Sequence, residues 1–513
     1  MKKIIAALSF LSLFVTLLPL FAAGCGQPEV VSPDLSTTTT TTTTVASTTT
    51  SSTTTTTIAG ATTTTSTTST TITTSTTTTT TSTTTTTLHS LTLYSGPAVC
   101  VDDSNAGAED GTAAHPFNTV QEGITNASGT GLIKVAGGTY NENVTIPGTK
   151  QVVLAGGYSA DFASRNLSSY TTRIHGAAGS PVIAMDYSGG GGNTITSTID
   201  GFTIDGGQRG IYIDSQGNGG TIDLTIIHNI IENNSGLTAA GDYGGGICLR
   251  GMSATVSNNT IQNNECGKGG GLFIQLRDPT RSILVENNII TGNKGHADHG
   301  GGIYIAAYKG KISNNSITNN SILESYGWAG GMVIDGGQYS GFNDTIYIEL
   351  SYNTYSGNFA PEAGSGLLID EGANTRLYHE LIYSNTSNHA TQSGGLYVDG
   401  AVGTANAKTI LENCTIADNV GGNGSTGHAI YIEGGSTVIA KNCIFWGNHS
   451  DNTTQFLVNG SSLTVTYSDP QGSYPGTGNI NSNPLFVGGG DYHLQSGSPC
   501  RNTGQGGANM GVY

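Results

Sequence analysis

The chain has 513 residues, a formal net charge of −17, and only 10% of its residues from Asp, Glu, Lys and Arg. Acidity without basic clusters excludes nucleic acid and anionic lipid surfaces as partners and leaves neutral glycans, cations or proteins. Gly is abundant, at 76 residues, as a chain of many tight turns requires.

The N-terminus opens with Met1-Lys2-Lys3, an apolar run from Ile4 to Phe21, and then Ala22-Ala23-Gly24-Cys25. This pattern is a cleaved export signal over residues 1–24 rather than a spanning helix. Small residues directly before a cysteine resemble a bacterial lipobox. That resemblance implies lipid attachment at Cys25, with 25–35 as the attachment segment and an anchor that needs no membrane helix. Ala22 departs from the pattern, since such boxes more often carry Leu there; an ordinary signal peptide cut near Ala23 is the alternative. Gly26 is not the Asp expected for inner-membrane retention, so the expected destination is the outer membrane or cell surface. Residues 36–90 form a linker. Ser36 to Thr87 is almost pure Thr and Ser without charge, and such a tract cannot build a core. It serves as a bare spacer or, through its hydroxyls, as a glycosylated stalk.

The folded region spans 91–450, with a C-terminal end and cap over 451–513. Leu91 to Val101 is a first strand. Asp102, Asp103, Asn105 and Asp110 form an acidic turn cluster, read either as Asx turns or as a calcium loop. Calcium is the one cofactor the sequence offers. Phe117, Val120, Gln121 and Ile124 have helical spacing, which predicts a short amphipathic helix over Pro116 to Asn126. A helix there would cover the open edge of a sheet. Strand-like pieces follow at Leu132–Val135, Val144–Ile146 and Val152–Leu154.

From residue 229 onward one phrase recurs: Asn-x-apolar-x-x-Asn, followed later by Gly-Gly-apolar-x-apolar. Its closing residues are Asn234, Asn264, Asn293, Asn320, Asn358, Asn385, Asn419 and Asn448, separated by 30, 29, 27, 38, 27, 34 and 29 residues. A period of this size marks a solenoid, because one unit cannot bury its own apolar face. Short β-type triplets between Gly and Asn turns, with no helix-period segment, make it a parallel β-helix.

Val101-Asp102-Asp103, His115-Pro116-Phe117-Asn118-Thr119-Val120-Gln121 and Ile133-Lys134-Val135-Ala136-Gly137-Gly138-Thr139-Tyr140-Asn141-Glu142-Asn143-Val144 resemble the capped N-terminal end of bacterial right-handed parallel β-helix proteins of the pectate-lyase-like superfamily. Tyr467-Ser468-Asp469, Asn483-Pro484-Leu485-Phe486, Asp491-Tyr492-His493-Leu494 and Ser498-Pro499-Cys500 resemble the terminal segment of surface-anchored bacterial β-helix proteins. The resemblance implies an all-β, single-stranded right-handed parallel β-helix with an N-terminal capping helix. It implies surface placement more firmly than any reaction.

The repeated Asn residues are expected to stack as amide ladders that satisfy buried turns. In the eight strands after Gly-Gly, positions one and three are apolar and face the core. Positions two and four face outward. Position four is acidic in four consecutive units, Asp335, Asp370, Asp399 and Glu433, beside Tyr397 and Tyr431. Stacked carboxylates next to rings offer a glycan or cation strip; a solvated strand edge is the plainer reading. Related lyases use calcium-binding acids with an Arg or Lys base, so Arg250, Arg277 and Lys309 are base candidates. Asp298-His299-Gly300-Gly301 is a partial echo of a hydrolase motif. Among the cysteines, Cys414 and Cys443 share one position of consecutive repeats, which permits either a bridge or stacked thiols. There is no CxxC spacing and no zinc signature.

The expected protein is therefore a monomeric surface lipoprotein scaffold, non-catalytic, binding polysaccharide or a cell-surface protein. A polysaccharide lyase or related carbohydrate-active enzyme is the first alternative, and a structural adhesin the second.

Overall fold

The computed structural model describes residues 94, 97–129, 131–186, 195–215, 222–276, 278–297, 299–336, 347–389, 394–400, 407–421, 428–448 and 455–513. The signal segment, Cys25, the Thr-rich linker, Arg277 and Asp298 lie outside the described residues. The unit Thr92–Tyr513 holds every described residue.

Three long parallel sheets build a β-helix. Face one has 13 strands, from Ala98–Val101 to Ser462–Thr466. Face two has 12, from Gly138–Tyr140 to Asp469–Pro470, and face three has 11, from Val144–Pro147 to Phe456–Val458. Each coil visits the faces in that order. A short fourth sheet of two-residue strands, Glu265–Cys266 to Thr386–Ser387, lies between faces two and three. Alternation places Ile231, Ile261, Ile290 and Ile317 inside face two, and Ile213, Leu249, Ile274 and Ile305 inside face three, all fully buried.

Two corners explain the Asn pairs. At each, the first residue turns the chain with positive φ, as at Asn258, Asn263, Asn314 and Asn319. Asn tolerates that left-handed conformation better than most side chains. The second residue points inward and joins a ladder. Asn264 Nδ2 donates to Asn293 Oδ1 at 3.1 Å, and Asn293 Nδ2 donates to Asn320 Oδ1 at 3.0 Å. Each Nδ2 also donates to a strand carbonyl, for Asn293 that of Ile261 at 2.9 Å. The expected amide ladder is thus continuous at Asn234, Asn264, Asn293, Asn320, Asn358, Asn385, Asn419 and Asn448.

The other ladder, Asn229 to Asn353, changes chemistry at Glu380, Cys414 and Cys443. The six described cysteines are buried free thiols. Cys414 and Cys443 are stacked thiols rather than a bridge; their Sγ atoms donate to the carbonyls of Glu412 at 3.4 Å and Lys441 at 3.2 Å.

The helix is shorter than the spacing predicts. It covers Val120–Asn126 (α1), and Thr119 caps it by accepting from the Glu122 amide at 3.2 Å. Phe117 instead bridges to Val101 in parallel fashion, which keeps it out of the helix, and the chain bends at Asn118 and Thr119 before the first turn. Val120 and Ile124 join the core of the first coils. At the other end, Tyr492, Leu494, Cys500 and Met510 are buried against Leu381, Ala417 and Ile444. The C-terminal segment therefore folds back over the outside of face two.

Candidate functional site

The acidic strip lies on face three as the alternation predicts, with Asp335 beside Asp370 and Asp399 beside Glu433 in register. All four carboxylates are half-buried. The neighbouring rings are not open. Tyr397 is 5% exposed and Tyr431 6%, and they stack on each other with centroids 4.8 Å apart. They belong to a second apolar layer outside the helix core, with Val333, Leu368, Ala329 and Ala363. Ala329 and Ala363, just before the turns at Gly330 and Gly364, pack into this layer. Gly364 stands so close that a Cβ there would lie 2.8 Å from Tyr397 Cβ. The expectation of outward rings is corrected: they leave the core but are buried in this second layer, Tyr397 against Ala363 and Gly364 of the preceding coil.

Hydroxyls supply the relief that stacked carboxylates need. Tyr304 donates to Asp335, and Tyr397 and Tyr431 donate to the two oxygens of Glu433. Burial pushes these phenols far above their ordinary range, so they remain protonated donors. Burial also pushes the Asp370 carboxyl up to about 7, aided by Asp335, Glu371 and Asp399 and opposed by His299 at 3.5 Å. Asp399 is raised by burial and by Glu433. The strip is thus a hydrogen-bonded row with tyrosine donors. Among the described residues, no group of three or more His, Cys, Asp or Glu could hold a metal ion.

The candidate calcium loop resolves into separate turns. Asp102 Oδ1 accepts from the Ser104 amide at 3.0 Å, and Asp103 Oδ2 from the Thr139 amide at 2.8 Å. Asn105 Oδ1 accepts from the Gly107 amide at 3.0 Å, and Asp110 Oδ1 from the Thr112 amide at 2.9 Å. Asp102, Asn105 and Asp110 each cap the backbone two residues on, and Asp103 ties the turn to the strand at Thr139.

Arg250, a candidate base, is engaged. Its Nη1 lies 2.8 Å from Asp214 Oδ2, and its Nε donates to Gln275 Oε1 at 3.2 Å. His299 stacks on Trp328 at 5.2 Å. Lys309 is exposed.

Face one holds a feature that the aligned Gly-Gly strands did not reveal. A groove of about 270 Å³ crosses three coils, floored by Asp223, Thr225, Ser253, Thr255, Ser282 and Leu284. Register places Asp223 beside Ser253, and Thr225 beside Thr255 and then Leu284. Alternating hydroxyls in Asp223-Leu224-Thr225 and Ser253-Ala254-Thr255 are the sequence signal for it. They are ordinary strand residues, so only the register brings them together.

A family model described as a right handed beta helix region matches residues 181–346. The coil is right-handed. No curated protein matches the chain. Among solved structures, the crystal structure of pectate lyase Pel9A is similar over 81% of this chain and 96% of that one, at 13% identity and a TM-score of 0.35.

Proposed function

We propose that this chain is an exported surface scaffold that binds a glycan along the outer face of its β-helix. A lipid on Cys25 holds it, and the Thr-rich stalk displaces it from the membrane. The groove on face one carries the reading. Hydroxyls and a carboxylate repeat at the spacing of parallel strands, about 4.8 Å, beside the apolar surface of Leu284. A polymer of sugars presents hydroxyls and C–H faces in the same alternation. The groove suits holding better than cutting. Asp223 is the one titratable side chain among its described lining residues, whereas glycoside hydrolysis takes a pair of carboxylates.

Calorimetry of the full chain with oligosaccharides chosen from a glycan array tests this. An Asp223→Ala/Thr255→Val double variant is expected to lose most of the affinity while keeping the parent melting temperature. Equal binding by that variant would remove the groove from the reading. For the anchor, Cys25→Ala is expected to move the chain from the membrane to the soluble fraction; unchanged partition defeats it.

The lyase reading keeps one observation in its favour. Ile283 pairs with Gly310, so exposed Lys309 stands on the coil beside Ser282 at the end of the groove. A lysine there has the chemistry of a proton-abstracting base. Release of unsaturated uronate by the parent, abolished in Lys309→Ala, would replace the scaffold reading with that one.

A further inference from the structure

We propose that Tyr352, backed by His379 and flanked by Tyr378, is an aromatic platform for a neutral sugar ring at the corner between faces one and two. The proposal rests on the glycan-binding reading but uses residues outside the groove.

This corner turns on one residue of positive φ per coil. Asn258, Asn287, Asn314, Asn413 and Asn442 occupy it with φ of 55–56°. Asn suits that conformation because its short polar side chain bonds locally, whereas a bulky side chain there is an outlier. Tyr352 (φ 58°) and His379 (φ 53°) break the pattern on consecutive coils. Two other departures have local partners: His228 lies 3.0 Å from Asp200, and Tyr467 packs against Gly478. Tyr352 also has partners, Tyr378 edge-on at 5.7 Å and His379 behind it, but they leave its ring 51% exposed. Backbone strain kept at an exposed ring points to use rather than to packing.

The ring arrangement is held in place. Tyr352 and His379 stack with centroids 4.9 Å apart and planes 10° apart. Tyr378 meets His379 edge-on at 4.2 Å. His379 Nδ1 lies 2.9 Å from the Val512 carbonyl, so it carries the proton and donates, and the C-terminal segment fixes the ring. A ring ordered before binding adds little ordering cost when a ligand arrives. Beside it, Tyr378 pairs in register with Glu412, which also bonds Arg376. The open face of Tyr352 matches the C–H face of a pyranose, and the charged pair on the next two coils, beside Tyr378, offers acceptors and donors to hydroxyls of a longer sugar chain. A nucleobase would also stack, but a net charge of −17 repels the phosphates that come with it.

The test uses the full chain, neutral hexaoses of the glucan, xylan, mannan and chitin types, and the variants Tyr352→Asn and Tyr352→Phe. Tyr352→Asn restores the residue used at neighbouring corners. It is expected to melt at or above the parent temperature and to weaken hexaose binding about tenfold. Tyr352→Phe keeps the ring and is expected to bind close to the parent. A Tyr352→Asn chain that binds like the parent overturns the platform. So does one that melts lower, because Tyr352 is then a packing residue. A parent that binds hexaose through the groove alone, insensitive to Tyr352→Asn, overturns the platform and leaves the groove. A parent that binds no sugar overturns both.

Discussion

At the scale of single residues, Asn293 shows how the solenoid holds its corners. Its Oδ1 accepts from the Asn264 amide at 3.0 Å, and its Nδ2 donates to Ile261 and Asn320. All of this is buried, so Asn293→Leu strands partners on both neighbouring coils. A loss of about 1–3 kcal/mol is expected in denaturant titration; an unchanged midpoint would mean that water reaches the corner. Glu380 is a different case. It takes the place of an Asn, is fully buried, and accepts from the Asn353 amide and Nδ2. Burial pushes its carboxyl up from 4.5 to about 8. Between those values the folded chain keeps a proton that the unfolded chain has released. Stability therefore falls as pH rises through that window, by at most about 1.4 kcal/mol per pH unit from this group. Glu380→Gln keeps the acceptor and cannot ionise. It is expected to gain on the parent progressively between pH 5 and 9 in thermal melts, and a pH-independent difference would mean that Glu380 is already ionised in the fold. The ladder residue of each Asn pair was legible in the sequence because it repeats with the apolar triplet. The left-handed role of its partner was not, because Asn-Asn looks the same whichever residue turns.

At the scale of elements, the Gly-Gly signal marks more than a turn. Gly246, Gly271, Gly302 and Gly331 stack so closely that a Cβ on each would meet the carbonyl oxygen of the next coil, for Gly302 that of Gly331 at 2.6 Å. Gly302→Ala must push coils apart, with an expected cost of about 1–3 kcal/mol. Urea titration checks it; a neutral result would show that neighbouring coils can slide. The same closeness explains why the candidate strip was only half legible. Alternation placed Tyr397, Tyr431 and the four carboxylates on the outer side of face three correctly. It could not show that Ala363 and Gly364 of the preceding coil pack against Tyr397, because the segments before the Gly turns have no fixed length or pattern. The groove on face one stayed hidden for the opposite reason. Thr255 and Leu284 share a row only through register, and nothing in either segment alone distinguishes it from any other strand.

At the scale of the whole molecule, a solenoid is a sum of coils that each contact only their neighbours, so its ends need separate treatment. The N-terminal end is closed by α1, whose first amides, Val120 and Gln121, donate to Glu142 at 2.7 and 3.0 Å. The C-terminal end is closed by a segment that runs back over face two. Its Tyr492 hydroxyl donates to Asp418 at 2.8 Å, and the Gly511 amide donates to the Asn442 carbonyl at 2.7 Å. The outer side of face two is adapted to this cover. On earlier coils the row alternates Ile230, Thr260, Ile289, Ser316 and Thr354, with both Ile side chains exposed, whereas under the segment Leu381, Ala417 and Ile444 are buried and Trp446 is half-buried. Deleting residues 483–513 would open that apolar patch beside the last strands. Such a surface pairs with another copy of itself. The truncated chain is therefore expected to elute as oligomers in size-exclusion chromatography and to melt below the parent. If it stayed monomeric with the parent melting temperature, the segment would be a passenger on a helix already closed by its own last coil.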